Sequence, residues 1–129
     1  MNAVHFVARP LLAGAFVAGG IDVLRNPQPR AELASPVIEK MQELVPVLPG
    51  EPVVLVRANA AAQLAAGVML ASGRFPRLAA LVLAGSLVPT TIGGHRFWEI
   101  DDPAKRAMQR TQFLKNAAIL GGLLAVASC

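Results

Sequence analysis

Four apolar stretches that are almost free of charge alternate along this chain with short segments that carry most of its charged residues. The clearest is Leu78 to Gly94, which runs for 17 residues without a charge. The chain has 129 residues, of which 54% are hydrophobic, and its mean hydropathy is +0.52. A soluble core of this size cannot bury so many apolar side chains. The pattern therefore predicts helices that span a membrane.

The spacing of the apolar stretches predicts an all-α fold, a transmembrane antiparallel four-helix bundle that occupies residues 1–129 as a single domain. The spans are expected at about residues 4–24, 53–72, 75–94 and 111–128. The first is expected to be an uncleaved helix, because Arg9 lies inside it and Asp22 follows its uncharged run Leu11–Ile21, unlike the layout of a signal peptide.

The first loop is long and contains a short amphipathic piece. Ser35 is expected to cap a helix that begins at Pro36 and lies in the membrane interface. The alternative is a gate over a ligand site. Near the other end of the chain, Asp102 is expected to cap a helix that begins at Pro103.

Small residues and one proline predict how the helices pack. Gly14, Ala18, Gly19 and Gly20 favour close contact between the first helix and a neighbour. Pro89 is expected to kink the third span, because it removes one backbone hydrogen bond. Ser86, Thr90 and Thr91 can satisfy the groups that this proline frees.

The second apolar stretch contains polar side chains, and a polar group inside a bilayer needs a partner or a cavity. Asn59, Gln63 and Gly67 are four residues apart and share one helix face. Asp22 and Arg57 are expected at similar depth, where they would form a structural ion pair.

The segment from Gly93 to Asn116 holds one of the two histidines and the only tryptophan. An antiparallel bundle brings its polar residues to the same membrane face as those of the second stretch. We expect these side chains to bind the head of a quinone or a lipid. The expected set is His95, Trp98, Arg57, Asn59, Gln63, Lys115 and Asn116. A plain interfacial anchor is the open alternative for His95–Trp98.

Several functions are disfavoured by the composition. The net charge is +4, but the 12 basic residues are divided among loops, which argues against nucleic acid as a partner. Lys105, Arg106 and Arg110 are instead expected to contact anionic lipid or a partner subunit. The two histidines, His5 and His95, belong to opposite faces, so bis-histidine haem is not expected.

No covalently bound cofactor or metal is expected either. The single cysteine, Cys129, provides no disulfide or Cys-x-x-Cys motif. No cluster has metal-ligand spacing, and no Ser-His-acid set can be assembled. These absences favour a role other than that of an enzyme that acts alone.

The ordered set of these motifs resembles the DoxX family of small four-helix bacterial membrane proteins, and the Ala- and Arg-rich composition resembles that of actinobacterial members. The residues that carry the resemblance are Arg9–Leu12, Gly19, Gly20, Asp22, Arg57–Gln63, Gly67, Gly73, Arg74, Arg77–Leu81, Val88–Thr91, His95–Trp98, Phe113–Asn116 and Leu120–Gly122.

The resemblance implies a relation to the membrane subunit of thiosulfate:quinone oxidoreductase. It also implies a place in a plasma-membrane redox complex, because a mycobacterial member is associated with a superoxide dismutase and a thiosulfate sulfurtransferase in resistance to oxidative stress. His95, Trp98, Lys115 and Asn116 match the family pattern. A structural subunit of a larger respiratory complex remains the alternative, and a small-solute transporter is a third possibility.

Overall fold

The chain folds into helices, as its sequence predicts. The structure is a computed structural model and describes residues 3–48 and 50–128, so Cys129 lies outside the described residues. The described ranges contain five α-helices. This number equals the four expected spans plus the expected helix in the first loop. They are α1 (Ala3–Arg25), α2 (Gln28–Leu44), α3 (Pro52–Ser72), α4 (Pro76–Gly94) and α5 (Pro103–Ser128), with a 3-10 turn at Phe97–Glu99.

The long helices pack in the cyclic order α1, α3, α4, α5, and α5 returns to α1. The shorter α2 packs against both α3 and α4. The end of the bundle that holds the α3–α4 turn is called the short-loop end. The opposite end, which carries α2 and the 3-10 turn, is called the long-loop end.

Three helices in the described ranges are long and apolar enough to cross a membrane. They are Ala3–Arg25, Pro52–Ser72 and the segment Pro76–Glu99. The fourth expected span, 111–128, is not among them. Its apolar part runs only from Ala117 to Ser128, about 18 Å of helix at about 1.5 Å per residue, and the first half of α5 is polar and basic. The structure thus supports three of the four expected spans, and the fourth stays a prediction.

Proline and glycine explain where several helices begin and end. α3, α4 and α5 each have proline as their first residue, a position where the missing backbone N–H is not needed. The predicted cap at Asp102 is confirmed, because its Oδ2 accepts the backbone N–H of Lys105 at 3.0 Å. Gly73 ends α3 in the left-handed region (φ 80°), which lets Arg74 N–H bond the carbonyl of Met69.

The helix in the first loop begins earlier than its sequence suggested. α2 starts at Gln28, so Ser35 lies inside it and the prediction that Ser35 caps the helix is wrong. Pro29 lies in the first turn, where proline is also tolerated. The helix then continues through Pro36, and the hydroxyl of Ser35 donates to Glu39 Oε1 at 3.3 Å.

α1 and α3 approach closely at two glycines. A Cβ placed on Gly20 would lie 3.0 Å from the carbonyl oxygen of Ala60, and one on Gly67 would lie 3.0 Å from Val17 Cγ2. The predicted contact is therefore made by Gly20. A Cβ added to Gly14 or Gly19 would meet no neighbour within 4 Å, so the contact face is narrower than expected.

The core of the bundle lies toward the short-loop end. Leu70, Leu83 and Leu123 are its largest fully buried side chains. Most of its other members are alanines and one phenylalanine, which include Ala13, Phe16, Ala66, Ala79, Ala80 and Ala84. Small side chains let the helices come close here. No comparable core cluster fills the long-loop end in the described residues.

Substitution of Gly20 and Gly14, two of the three glycines of α1, should separate close packing from open space. We expect Gly20→Ala to destabilise the protein by about 1–3 kcal/mol, because backbone atoms of α3 cannot move aside easily. Gly14→Ala is the control, since its methyl group would meet nothing within 4 Å and alanine favours helix. Unfolding in detergent, followed by circular dichroism, measures both. Equal stability of the two variants would contradict the close contact.

Candidate functional site

A cavity of about 430 Å³ opens at the long-loop end of the bundle, next to the core. All five helices contribute to its lining. Apolar side chains form most of the wall, and they include Phe16, Leu55, Leu87 and Ile119. Ligand sites in proteins have this size and this mainly apolar lining, with a few polar groups that fix orientation. The cavity is therefore the candidate ligand site.

α1 and α5 both contribute to the lining of the cavity. These helices meet toward the short-loop end, where a Cβ on Gly122 would lie 3.2 Å from Leu12 Cδ2. One and two turns further along, Ala15 and Gly19 of α1 and Ile119 of α5 line the cavity, and a Cβ on Gly19 would meet nothing within 4 Å. Small residues on α1 leave this space open.

A hydrogen-bonded polar group forms the wall between α3 and α4. The amide nitrogens of Asn59 and Gln63 donate to Thr90 Oγ1 at 2.7 and 3.1 Å. The Ser86 hydroxyl donates to Asn59 Oδ1, and the Thr90 hydroxyl donates to the Ser86 carbonyl at 2.9 Å. Thr90 thus accepts two bonds and donates one, which uses its full capacity. These bonds allow amide side chains to lie between apolar helices.

Thr90 does not occupy the carbonyl that Pro89 frees. Pro89 removes the donor for Gly85, one residue before the carbonyl that Thr90 uses. α4 remains a helix on both sides of Pro89. The predicted kink stays a prediction.

His95 and Asn116 lie where α4 ends beside α5. Asn116 is 8% exposed, and its Nδ2 donates to Thr91 Oγ1 at 3.1 Å. His95 Nδ1 lies 2.6 Å from Gln109 Oε1. Because that oxygen can only accept, Nδ1 carries a hydrogen, and the neutral ring would have an accepting Nε2. In the described part of the chain, Nε2 has no hydrogen-bond partner.

α2 covers the cavity at the long-loop end. Its side chains Arg30, Ala34, Val37, Ile38 and Met41 are part of the lining. The helix comes close to α4 at one point, where a Cβ on Gly93 would lie 3.1 Å from Ala34 Cβ. Glycine at residue 93 is what permits this approach.

Arg96 ties α2 to the end of α4. Its Nη2 donates to the carbonyl of Leu33 at 2.8 Å, and its Nη1 donates to the carbonyl of Gly93 at 2.6 Å. Its Nε forms an ion pair with Glu99. Arginine can make several such bonds because its donors form a rigid planar fork. Arg96 thus adds hydrogen bonds to the packing of α2 against α3 and α4.

The aromatic residues near His95 form a separate cluster. Phe97, Trp98 and Phe113 pack edge to face, with ring centroids 5.3 to 5.8 Å apart. Trp98 is 47% exposed and does not line the cavity. The aromatic cluster therefore fixes the 3-10 turn against α5 and does not contribute to the cavity wall.

The structure brings five of the seven predicted ligand residues together. Those that line the cavity are Asn59, Gln63, His95, Lys115 and Asn116. Trp98 and Arg57 lie outside it. The predicted contact residues Lys105, Arg106 and Arg110 are exposed on the first turns of α5.

The ion pair predicted between Asp22 and Arg57 does not form. Both side chains are exposed, and the structure shows no ion pair between them. The ion pair found among the described residues joins Arg96 and Glu99. Gly20 faces α3, and Asp22 is two residues further along α1, so it lies about 200° around the helix. Asp22 and Arg57 were predicted to lie at similar depth in the membrane. The position of Asp22 around α1 nevertheless places it on the side opposite to the face that contacts α3.

Sequence reasoning did not find Arg30 or Thr90 as lining residues. Arg30 was assigned to a loop because α2 was expected to begin at Pro36. Its spacing from Ala34 and Ile38, four and eight residues, would have placed it on their face if the helix had been extended backward. Thr90 was expected only to satisfy backbone groups.

Comparison with known proteins gives one finding. A family model described as DoxX matches residues 4–96. Neither a curated protein nor a solved structure matches the chain. The matched range includes α1 to α4 and ends next to His95, so it covers four of the five helices that line the cavity.

Removal of the Thr90 hydroxyl should weaken the polar wall. In Thr90→Val the amide nitrogens of Asn59 and Gln63 lose their acceptor, and we expect a loss of about 1–3 kcal/mol of stability. Thr111→Val is the matched control, because Thr111 is exposed and bonds only the carbonyl of its own helix. Unfolding in detergent measures both variants. A Thr90→Val protein as stable as Thr111→Val would show that this wall does not hold α3 to α4.

Removal of the Arg96 guanidinium should loosen α2. We expect backbone amides of α2 to exchange hydrogen at least about tenfold faster in Arg96→Gln, since charged hydrogen bonds contribute about 1.5–3 kcal/mol each. Exchange in α1 should not change. Arg106→Gln, on the exposed part of α5, is the control. Equal α2 exchange in both variants would mean that Arg96 does not hold α2.

Proposed function

Since this chain belongs to the DoxX family, we propose that it is an integral membrane subunit of a bacterial redox complex and that its cavity binds an amphipathic quinone or lipid. The match over residues 4–96 establishes the family. The proposal places the protein in the plasma membrane as a multi-pass subunit, in oxidative-stress or sulfur and thiol redox metabolism. The observation that carries the binding part is the cavity.

The cavity is suited to a molecule with a polar head and an apolar tail. Its wall on α1 is apolar and includes Phe16 and Gly19, and α5 adds Ile119. The charged and imidazole groups of its lining are Arg30, His95 and Lys115, whereas the amides of the α3–α4 wall are bonded to Thr90. A quinone or a lipid has the same division, with the head at interfacial depth and the tail between helices.

His95 is the residue that we assign to the quinone head. Its Nδ1 is held by Gln109, which fixes the orientation of the ring. Nε2 is left to accept a hydrogen bond from a quinol hydroxyl, or to donate one to a quinone carbonyl when the ring is protonated. A histidine positioned in this way can bind either redox state of a quinone.

The lining supports binding better than independent catalysis. Within the described residues, the polar lining groups are amides, a hydroxyl, an imidazole and two cations, and no nucleophile is paired with a base. Electron transfer would need a redox partner subunit. Lys105, Arg106 and Arg110 are exposed on α5 and are available for such a partner or for anionic lipid.

A structural or accessory subunit of a larger respiratory complex is the second candidate. The observation that favours it is the exposed start of α5, where Met108 is 57% exposed among these basic residues. Exposed apolar and basic side chains together are suited to a protein contact.

Two glycine variants of α1 test whether the cavity binds the ligand. A leucine at residue 19 would project into the cavity, where a Cβ would meet no atom within 4 Å. We expect Gly19→Leu to weaken binding of a short-tail naphthoquinone by at least about tenfold, or about 1.4 kcal/mol. Quenching of the single tryptophan, with protein in nanodiscs, measures the affinity.

Gly14→Leu is the matched control, because residue 14 also has open space but does not line the cavity. His95→Ala should weaken quinone binding as well, and Arg57→Ala, outside the cavity, should not. If Gly19→Leu binds quinone and lipid as the natural chain does, the cavity is not the site. If the natural chain binds neither and co-purifies stoichiometrically with other subunits, the accessory role replaces the proposal.

A further inference from the structure

The charges around the cavity are of one sign. Arg30 of α2 and Lys115 of α5 both line it. No Asp or Glu is among the described residues of the lining, and the ion pair of Arg96 with Glu99 lies elsewhere. In the described lining, two cations thus share a mostly apolar cavity without an acidic residue. Like charges that face a region of low dielectric attract an anion more strongly than they would in water.

The exposed residues of the lining form what we call the mouth of the cavity, and both cations belong to it. Arg30 and Lys115 are exposed, whereas deeper lining residues such as Phe16, Ala60 and Leu87 are buried. The head of a ligand at the mouth would therefore contact the charged side chains, and its tail would contact the apolar side chains. This arrangement matches an amphiphile that enters with its chain first.

The position of Arg30 adds to the positive potential. It lies in the first turn of α2, which contains no acidic residue and has no side-chain cap. The N-terminus of a helix carries partial positive charge, so a basic residue there is unfavourable unless an anion is near. The charge of Arg30 and the partial charge of the helix end are both positive, so both would attract an anion.

The uncharged amides of the cavity are less available to a ligand head. Asn59 Nδ2 and Gln63 Nε2 both donate to Thr90, and Asn116 Nδ2 donates to Thr91. Lys115 gives one of its three hydrogens to Gln112 Oε1, at 2.6 Å, and retains two. Arginine and lysine can only donate. The charged groups left for recognition are therefore donors, which fit a head that only accepts.

We propose that the cavity selects an anionic single-chain amphiphile, whose acidic head binds at the mouth beside Arg30 and Lys115 and whose chain lies between α1 and α5. The proposal rests on the proposed function, because it names the head group that the same cavity would take if its amphipathic ligand is a lipid rather than a quinone. Phosphate monoester and carboxylate heads share the required chemistry, since both are charged acceptors. A cavity of about 430 Å³ holds such a head and part of one chain.

The experiment compares dodecyl phosphate with dodecanol, which has the same chain and a neutral head. Both are titrated into the natural chain in nanodiscs of neutral lipid. We expect dodecyl phosphate to bind at least about tenfold more tightly, and the difference to shrink as salt is raised. Inorganic phosphate, added as a competitor, tests whether the anion alone is sufficient. We expect it to displace dodecyl phosphate poorly.

Charge-neutralising variants identify the residues. Arg30→Gln and Lys115→Gln should each reduce the affinity for dodecyl phosphate by about tenfold and the affinity for dodecanol by much less, because the alcohol carries no charge. Arg110→Gln, which removes an exposed charge from α5 outside the cavity, is the control. Circular dichroism of each variant shows whether the fold is retained.

Three outcomes would overturn the inference. They are equal affinity of the natural chain for the phosphate and the alcohol, losses in Arg30→Gln and Lys115→Gln no larger than in Arg110→Gln, and displacement by inorganic phosphate at equal concentration. The last would assign the site to a soluble anion. Gly19→Leu separates this failure from that of the proposed function. If it abolishes binding of both amphiphiles while head charge has no effect, the cavity remains a ligand site without charge selection.

Discussion

The close approach of α1 to α3 is the contact on which the rest of the structure depends. Gly20 packs against Ala60 and Leu64, and Gly67 packs against Ala13, Phe16 and Val17, so the two helices are in close contact over about two turns. In a bilayer this contact depends on packing, because lipid supplies no hydrophobic drive between helices. α1 also contacts α5 where Leu12 meets Gly122, and closer to the long-loop end residues of both helices line the cavity.

Local chemistry allowed much of the fold to be predicted from the sequence. The cap at Asp102 and the helix start at Pro103 depend on one or two residues, and three of the apolar stretches are long enough to be unambiguous. The start of α2 was missed because two prolines, Pro29 and Pro36, both suit a first turn, and only packing against α3 and α4 distinguishes them. The apolar part of α5 is shorter than the other three apolar stretches. Composition alone therefore does not show whether α5 spans the membrane.

The candidate site was predicted less completely, because it depends on direction around helices as well as on depth. Asn59, Gln63, His95, Lys115 and Asn116 were placed correctly at the long-loop end by topology alone. Topology could not show that Asp22 lies on the side of α1 opposite to Gly20, which faces α3. Arg30 reaches the cavity only because α2 folds back over α3 and α4, a tertiary contact that no local pattern encodes.

The unequal ends of the bundle have a consequence for exchange with the bilayer. Leucine, alanine and phenylalanine fill the short-loop end, whereas the cavity lies at the long-loop end. A lipid that binds in the cavity would come from the leaflet on that side of the membrane. The protein would therefore sample one leaflet and remain insensitive to the composition of the other, so that its membrane orientation decides which pool of lipids it encounters.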